Sequence, residues 1–154
     1  VVIAITFIQM IFAGLMSGMR AGLYYPSWPD MNGEFIPAVL LNSENWNWGN
    51  MINYDSYLFA PAFIQFSHRI LAYILLVFTI YMFFKLKNKV KKTGGFWLNG
   101  SLILILVQVV LGILTVINVE GKIPLFLGTS HQLVGVLFLM SLLFLNYSLR
   151  KQKV

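Results

Sequence analysis

The sequence predicts an all-α integral membrane protein, a bundle of four transmembrane helices with a long extracytoplasmic loop between helices 1 and 2. Three observations predict this fold. The composition is 58% hydrophobic and only 10% charged, which is far from the balance of a soluble domain. Long apolar stretches recur along the chain, and the charged residues are sorted between the connections. We therefore treat residues 1–154 as a single membrane domain whose solvent is the lipid bilayer.

Four apolar stretches are long enough to cross a hydrocarbon core, which takes about 20 residues as a helix. The predicted helices cover about residues 1–19, 58–84, 96–117 and 124–147.

The segment at residues 20–57 has the composition of a loop. Its prolines and its Asn32-Gly33 pair rule out one continuous helix. Its three tryptophans suit the headgroup level of a membrane. They are Trp28, Trp46 and Trp48.

The charges orient the chain. Basic residues fill the connection between the second and third predicted helices and follow the fourth, whereas all five acidic residues fall in the other two connections. The basic ones are Lys85, Lys87, Lys89, Lys91, Lys92, Arg150, Lys151 and Lys153. The positive-inside rule places both basic segments in the cytoplasm, or in the matrix if the protein is mitochondrial, and turns the loop at 20–57 outward.

Composition also excludes several functions. The net charge of +6 is concentrated beside apolar runs rather than spread over a surface, so we expect no nucleic-acid partner. The chain has no cysteine, which excludes disulfides, a thiolate metal site and a cysteine nucleophile. Since the sequence starts inside an apolar run, at Val1 and without an initiator methionine, we expect it to be a piece of a longer protein with sequence missing upstream.

The two histidines, His68 and His131, both lie inside predicted transmembrane helices. A buried ionisable group in lipid is costly and normally marks function. At about 1.5 Å of rise per residue, each histidine lies roughly 10–15 Å from the outer surface. Their two helices run in the same direction, so both imidazoles can meet at one level inside the bundle.

A paired histidine site of this kind favours heme over a bare metal ion. A bare transition metal needs three or four protein ligands, and no cysteine or buried carboxylate is at hand to complete the set. A porphyrin supplies four nitrogens, so two axial imidazoles suffice. Small residues one turn after each histidine, Ala72 and Gly135, leave flat space beside the ligands, and Gly14, Gly18 and Gly112 add room or close helix contact. The alternative is that each histidine only hydrogen-bonds to a neighbouring helix.

Two further polar residues accompany the first histidine. Arg69 follows it directly and can pair with heme propionates, or it can extend toward the lipid headgroups, the interpretation we favour for Arg20. Gln65 shares the face of His68 but cannot act as a general base, so we expect a cofactor seat rather than a proton-transfer centre. Gln108 and Thr115 are interpreted as polar contacts between helices. No catalytic residue is assigned.

Four motifs, in this order, resemble those of the heme A synthase family over essentially the whole chain. They are Gly22-Leu23-Tyr24-Tyr25-Pro26-Ser27-Trp28-Pro29-Asp30-Met31-Asn32-Gly33, Gln65-Phe66-Ser67-His68-Arg69, Gln108-Val109-Val110-Leu111-Gly112-Ile113-Leu114-Thr115, and His131-Gln132.

The resemblance is to the carboxy-terminal four-helix half of an eight-helix enzyme. It implies a heme b held by His68 and His131 as axial iron ligands, with Gln65 and Arg69 beside it. The full enzyme oxidises the C8 methyl of heme O to a formyl group, giving heme A for cytochrome oxidase. In the amino-terminal half, which is thought to receive heme O, a glutamate stands where this chain has Gln65, so we expect the chain alone to lack the catalytic half.

The implied partners are the missing amino-terminal half or a second copy of the chain, a supplier of heme O, an electron donor and the lipid bilayer. The implied location is the bacterial cytoplasmic membrane, or the mitochondrial inner membrane in a eukaryote. The main alternative is a b-type cytochrome membrane subunit that only transfers electrons. A third hypothesis is a structural or transport bundle without heme.

Overall fold

The computed structural model describes residues 1–151 and contains six α-helices, with no β-strand in that range. The helices are α1 (Val2–Gly18), α2 (Ala38–Leu41), α3 (Trp48–Ile52), α4 (Phe59–Leu86), α5 (Lys92–Ile117) and α6 (Leu125–Lys151). Two short 3-10 turns, Ala21–Leu23 and Ser43–Asn45, lie within the loop. Lys153, one of the basic residues used to orient the chain, lies outside the described residues.

Three of the helices are long and apolar enough to cross a membrane. These are α4, α5 and α6, with 28, 26 and 27 residues. Helix α1 is apolar but has 17 residues, a rise of about 26 Å where the hydrocarbon core is about 30 Å thick. The all-helical class and its membrane helices are therefore confirmed, while a fourth crossing by α1 stays a prediction.

Three of the four long helices extend at one end beyond the apolar stretches that predicted them. Helix α5 begins at Lys92 rather than at 96, and α6 continues to Lys151 rather than to 147. Hydropathy locates the part of a helix that lies in lipid, but the backbone hydrogen bonding continues through polar turns at the interface. The proline at position 61 fits in the first turn of α4, where the backbone N–H has no partner within the helix.

The four long helices form a closed ring, in which α1 packs on α4, α4 on α5, α5 on α6, and α6 on α1. At one level of the bundle, α4, α5 and α6 share a buried apolar cluster of Leu75, Ile105, Phe138 and Leu142. Ser101 of α5 and Ser141 of α6 form a buried hydrogen bond of 2.9 Å. The ring places α4 and α6, the helices that carry the two histidines, on one diagonal.

The loop at 20–57 is packed against the start of α4. Tyr25, Met31 and Leu40 of the loop are buried together with Phe59 and Ala62 of that helix. Trp46 packs edge-on against Phe59, with ring centroids 5.1 Å apart. The loop therefore covers one end of the bundle, and the sequence predicted its irregular backbone but not this packing.

The sorting of charges predicts which side of the membrane each connection faces. Since the chain has no cysteine, single cysteines at the exposed positions Ser43 and Lys89 report accessibility without background from this sequence. We expect Ser43→Cys to react with a membrane-impermeant maleimide in intact right-side-out vesicles, and Lys89→Cys to react only after permeabilisation. The opposite labelling would show that the loop faces inward.

Candidate functional site

A cavity of about 380 Å³ lies between the four long helices, at the end covered by the loop. This volume is within the range of about 300–1,000 Å³ typical of small-molecule sites. Its walls are mostly apolar, with a few amide, imidazole and guanidinium groups. Those polar side chains are Gln9, Gln65, His68, Arg69, Gln108, His131 and Gln132.

The two histidines predicted from the sequence meet in this cavity. His68 of α4 and His131 of α6 have ring centroids 6.4 Å apart and ring planes inclined at 68°. The two rings face each other across the diagonal of the bundle, because their helices are separated by α1 on one side and α5 on the other.

The ring of His131 is held by the neighbouring helix α5. Its Nδ1 donates to the backbone carbonyl of Gln108 at 3.1 Å. Because a carbonyl can only accept, Nδ1 carries the proton and Nε2 keeps its lone pair. The side-chain amide nitrogen of Gln108 lies 3.4 Å from that Nε2. Metal-binding histidines commonly donate their second ring nitrogen to a carbonyl in this way.

Gly112 gives the His131 ring its space. A Cβ placed on Gly112 would lie 3.0 Å from Cε1 of His131, closer than ordinary van der Waals contact. A Cβ on Gly135 would similarly lie 3.1 Å from Nε2 of Gln108. Both glycines line the cavity, as do Gly14 and Ala72. Gly18 is not among the residues lining it, so its predicted contribution to the free space is not seen.

The ring of His68 is contacted by Gln9 of α1, a residue that the sequence pattern does not mark as part of the site. The Gln9 side-chain nitrogen lies 3.2 Å from Nε2 of His68 and donates to the carbonyl of the same residue at 3.0 Å. Gln9 could have been noticed because it is an amide in a helix whose other side chains are nearly all apolar. Such a group in lipid needs a partner on another helix.

Four buried polar atoms have no hydrogen-bond partner among the described residues, and all of them belong to cavity-lining side chains. They are Oε1 of Gln9, Oε1 of Gln65, Nδ1 of His68 and Oε1 of Gln108. Buried polar groups in folded proteins are nearly always paired. Their concentration in one place indicates that the cavity is shaped for an additional polar or metal-containing group.

These residues fit a heme held between two histidines. Two imidazoles bound to one metal, with bonds of about 2.0 Å to nitrogen, put their ring centroids about 6 Å apart. The observed separation is 6.4 Å. Within residues 1–151 no cluster of three or more histidine, cysteine or carboxylate side chains is present. Two imidazoles without further protein ligands are a set that a porphyrin completes and that a bare ion does not.

Arg69 binds the loop rather than extending toward the headgroups. Its Nη1 donates to the carbonyl of Asp30 at 2.6 Å, and its Nη2 donates to the carbonyls of Ser27 at 2.8 Å and Tyr25 at 3.2 Å. Gln65 donates to the same Tyr25 carbonyl at 2.9 Å. The two residues thus hold the loop over the cavity. Their predicted contact with a cofactor stays a prediction.

The segment held by Arg69 is itself ordered by a polar turn. The Ser27 hydroxyl donates to the Asp30 carboxylate at 2.6 Å and accepts from the Asn32 backbone N–H at 2.7 Å. The hydroxyl of Ser27, the backbone N–H of Gly33 and the charge of Arg69 hold the pKa of the Asp30 carboxyl below its usual value. Asp30 is therefore ionised at neutral pH and stabilises the turn as an acceptor.

The Thr115 hydroxyl bonds within its own helix. Thr115 does not join helices, because its hydroxyl donates to the carbonyl of Leu111 one turn earlier in α5, at 2.7 Å. A threonine in a helix finds this acceptor without a partner helix.

Arg20 is exposed at the end of α1, in a left-handed backbone conformation with φ of 50°.

Comparison with known proteins gives one consistent result. Residues 1–143 match the COX15-CtaA family model, described as a cytochrome oxidase assembly protein. The heme A synthase of Nitrosospira multiformis is 34% identical over 151 residues, which cover 97% of this chain and 39% of that protein. The heme A synthase of Paracoccus denitrificans is 32% identical over 139 residues, which cover 90% and 34%.

A third relative, the heme A synthase of Rhodopseudomonas palustris, is 35% identical over 143 residues, which cover 90% of this chain and 36% of that protein. The chain thus spans between 34% and 39% of the length of these curated relatives. No solved structure gives a significant match.

The three bonds of Arg69 predict that it stabilises the loop. Removing a hydrogen bond to a charged group costs about 1.5–3 kcal/mol, so we expect Arg69→Met to accelerate proteinase K cleavage within the loop about tenfold or more. Arg69→Lys should be intermediate, because an ammonium cannot reproduce the planar fork of a guanidinium. Arg20→Met, at an exposed arginine, is the matched control. Equal cleavage rates in the Arg69 and Arg20 variants would contradict this role.

Proposed function

Since the chain belongs to the COX15-CtaA family of cytochrome oxidase assembly proteins, we propose that it forms the heme-b-binding half of a heme A synthase. The full enzyme would oxidise the C8 methyl of heme O to a formyl group to make heme A. Its location would be the bacterial cytoplasmic membrane, or the mitochondrial inner membrane in a eukaryote. The observation that carries the proposal is the separation of 6.4 Å between the His68 and His131 rings in one cavity.

His68 and His131 would hold the heme through their ring nitrogens. When bound, the heme supplies a one-electron redox couple. The chain's own residues position the histidine ring and hold the loop in place. Gln108 keeps the proton of His131 on Nδ1, and Gly112 leaves the ring its space. Arg69 and Gln65 hold the loop at the mouth of the cavity, which limits the entry of water. Burial and hydrogen bonding around axial ligands are what tune a heme potential.

The four long helices offer no carboxylate for proton transfer to or from a substrate. Helices α1, α4, α5 and α6 contain no aspartate or glutamate, so no carboxylate on them can act as a general base. This supports an electron-holding role for the chain and leaves heme O oxidation to a partner. We propose that the partner is an amino-terminal four-helix half or a second copy, served by a heme O supplier and an electron donor.

The absence of a carboxylate on these helices also favours one other function, that of a b-type cytochrome membrane subunit. It would use His68 and His131 in the same way but carry out no heme O chemistry. Restoring the gene to a strain that lacks heme A separates the two. Recovery of heme A supports the synthase, whereas heme b binding without recovery supports the cytochrome.

Axial ligation predicts the spectrum of the purified protein. We expect a low-spin bis-imidazole heme b signal in optical and electron paramagnetic resonance spectra of the protein in detergent. His68→Ala and His131→Ala should each abolish that low-spin signal, because a porphyrin iron with one axial imidazole is not bis-ligated. Ser101→Ala, which removes a hydrogen bond between α5 and α6 without altering a histidine, should keep it. An unchanged low-spin signal in both histidine variants would refute the proposal.

The limited space beside Gly112 predicts an effect on heme affinity. Gly112→Ala places a Cβ 3.0 Å from Cε1 of His131, and overpacking of this kind costs about 1–3 kcal/mol. We expect heme affinity to fall about tenfold, as measured by heme titration. Gly100→Ala, on the same helix but with no atom within 4 Å of the added Cβ, is the control and should keep the affinity. Equal affinities of the two variants would show that Gly112 does not set the position of His131.

A further inference from the structure

Four polar side chains, one from each long helix, meet in the cavity: Gln9, His68, Gln108 and His131. Each glutamine amide nitrogen lies beside the Nε2 of a histidine on the next long helix in the sequence. We propose that Gln9 is a positioning residue, which fixes the ring of His68, whereas His131 is fixed mainly by the backbone of α5. This inference rests on the proposed function, since it concerns how the chain prepares its two heme ligands.

Gln9 holds His68 at two points. An amide NH₂ group has two hydrogens, and Gln9 directs one to the carbonyl of His68 at 3.0 Å and the other to Nε2 at 3.2 Å. The other ring nitrogen of His68, Nδ1, is buried and has no partner in the described part of the chain. The described hydrogen bonding of this imidazole therefore depends on one side chain of α1.

His131 differs in the kind of group that holds it. Its Nδ1 donates to the backbone carbonyl of Gln108 at 3.1 Å, an acceptor that no substitution of the side chain removes. The side-chain amide of Gln108 is farther from the ring, at 3.4 Å from Nε2, and the ring also packs against the backbone of Gly112. Loss of the Gln108 amide therefore leaves His131 oriented, whereas loss of the Gln9 amide leaves His68 free to turn.

The two glutamines occupy equivalent places in the sequence of their helices. One turn after each comes a small residue, Ala13 after Gln9 and Gly112 after Gln108, and both small residues line the cavity. Residues four apart share a helix face. Each pair of consecutive long helices thus supplies an amide and a small residue from its first helix and an imidazole from its second.

This arrangement prepares the ligands chemically. An amide N–H that donates to Nε2 selects the tautomer with the proton on Nδ1, so the lone pair of Nε2 points into the cavity. The bond from Gln9 to Nε2 must be given up when iron takes that lone pair. The bond to the His68 carbonyl does not compete with iron and can continue to join α1 to α4.

The test compares the same substitution at both glutamines in the purified protein. Methionine is close to glutamine in shape but has no N–H donor. Loss of a group that orients a metal ligand typically costs 10–100-fold in affinity. Because Gln9 contacts the His68 ring only before iron binds, we expect Gln9→Met to slow binding of heme to the heme-free protein about tenfold or more in stopped-flow mixing. Gln108→Met should change the binding rate by less than about threefold, because the carbonyl bond to His131 remains.

The outcomes separate this inference from the proposed function. A bis-imidazole signal in the wild type with equal changes, or none, in the two methionine variants would overturn the positioning role and leave the heme proposal intact. Absence of a bis-imidazole heme in the wild type would overturn both. If Gln9→Met fails to fold, Gln9→Asn keeps the amide but shortens its reach. It should then slow heme binding in the same direction, and an unchanged binding rate would overturn the positioning role.

Discussion

Lipid offers no hydrogen bonds, and this constraint decides how the polar side chains of the bundle are arranged. The imidazoles of His68 and His131 and the amides of Gln9 and Gln108 all turn toward one cavity, where they contact one another rather than the acyl chains. Ser101 and Ser141 form a separate buried hydrogen bond with each other. The cavity differs from that pair because some of its polar atoms have no hydrogen-bond partner within residues 1–151, which indicates a place for another group.

Much of the fold follows from the sequence, because hydropathy and the sorting of charge act over whole segments. The four apolar stretches became four long helices, α4, α5 and α6 long enough to cross a membrane. The helix ends were less predictable, as at Lys92, because a polar turn can remain helical after the apolar signal has ended. The packing of the loop against Phe59 was also not foreseen, since it depends on contacts between segments distant in sequence.

The sequence predicted those site residues whose type is rare and costly to bury. It missed residues of a more common type. Two histidines in a chain without cysteine stand out, and the structure brings both into one cavity. Gln9 looks like any polar residue in an apolar helix until its distance to His68 is known. For Arg69 the sequence suggested heme propionates or lipid headgroups as partners. The carbonyls that Arg69 binds instead come together only when the loop folds, which composition does not reveal.

His68 and Arg69 are adjacent in sequence, yet a step of about 100° around the helix sends one side chain toward His131 and the other to the loop. A single peptide unit thus connects a ring inside the bundle to the loop that covers it. Sequence changes that move the carbonyls of Tyr25, Ser27 or Asp30 shift the position of the Arg69 side chain. Through the shared peptide unit they also change the tilt of the His68 imidazole. Sequence changes in the loop therefore have a route to adjust the orientation of a ring inside the bundle while both histidines stay the same.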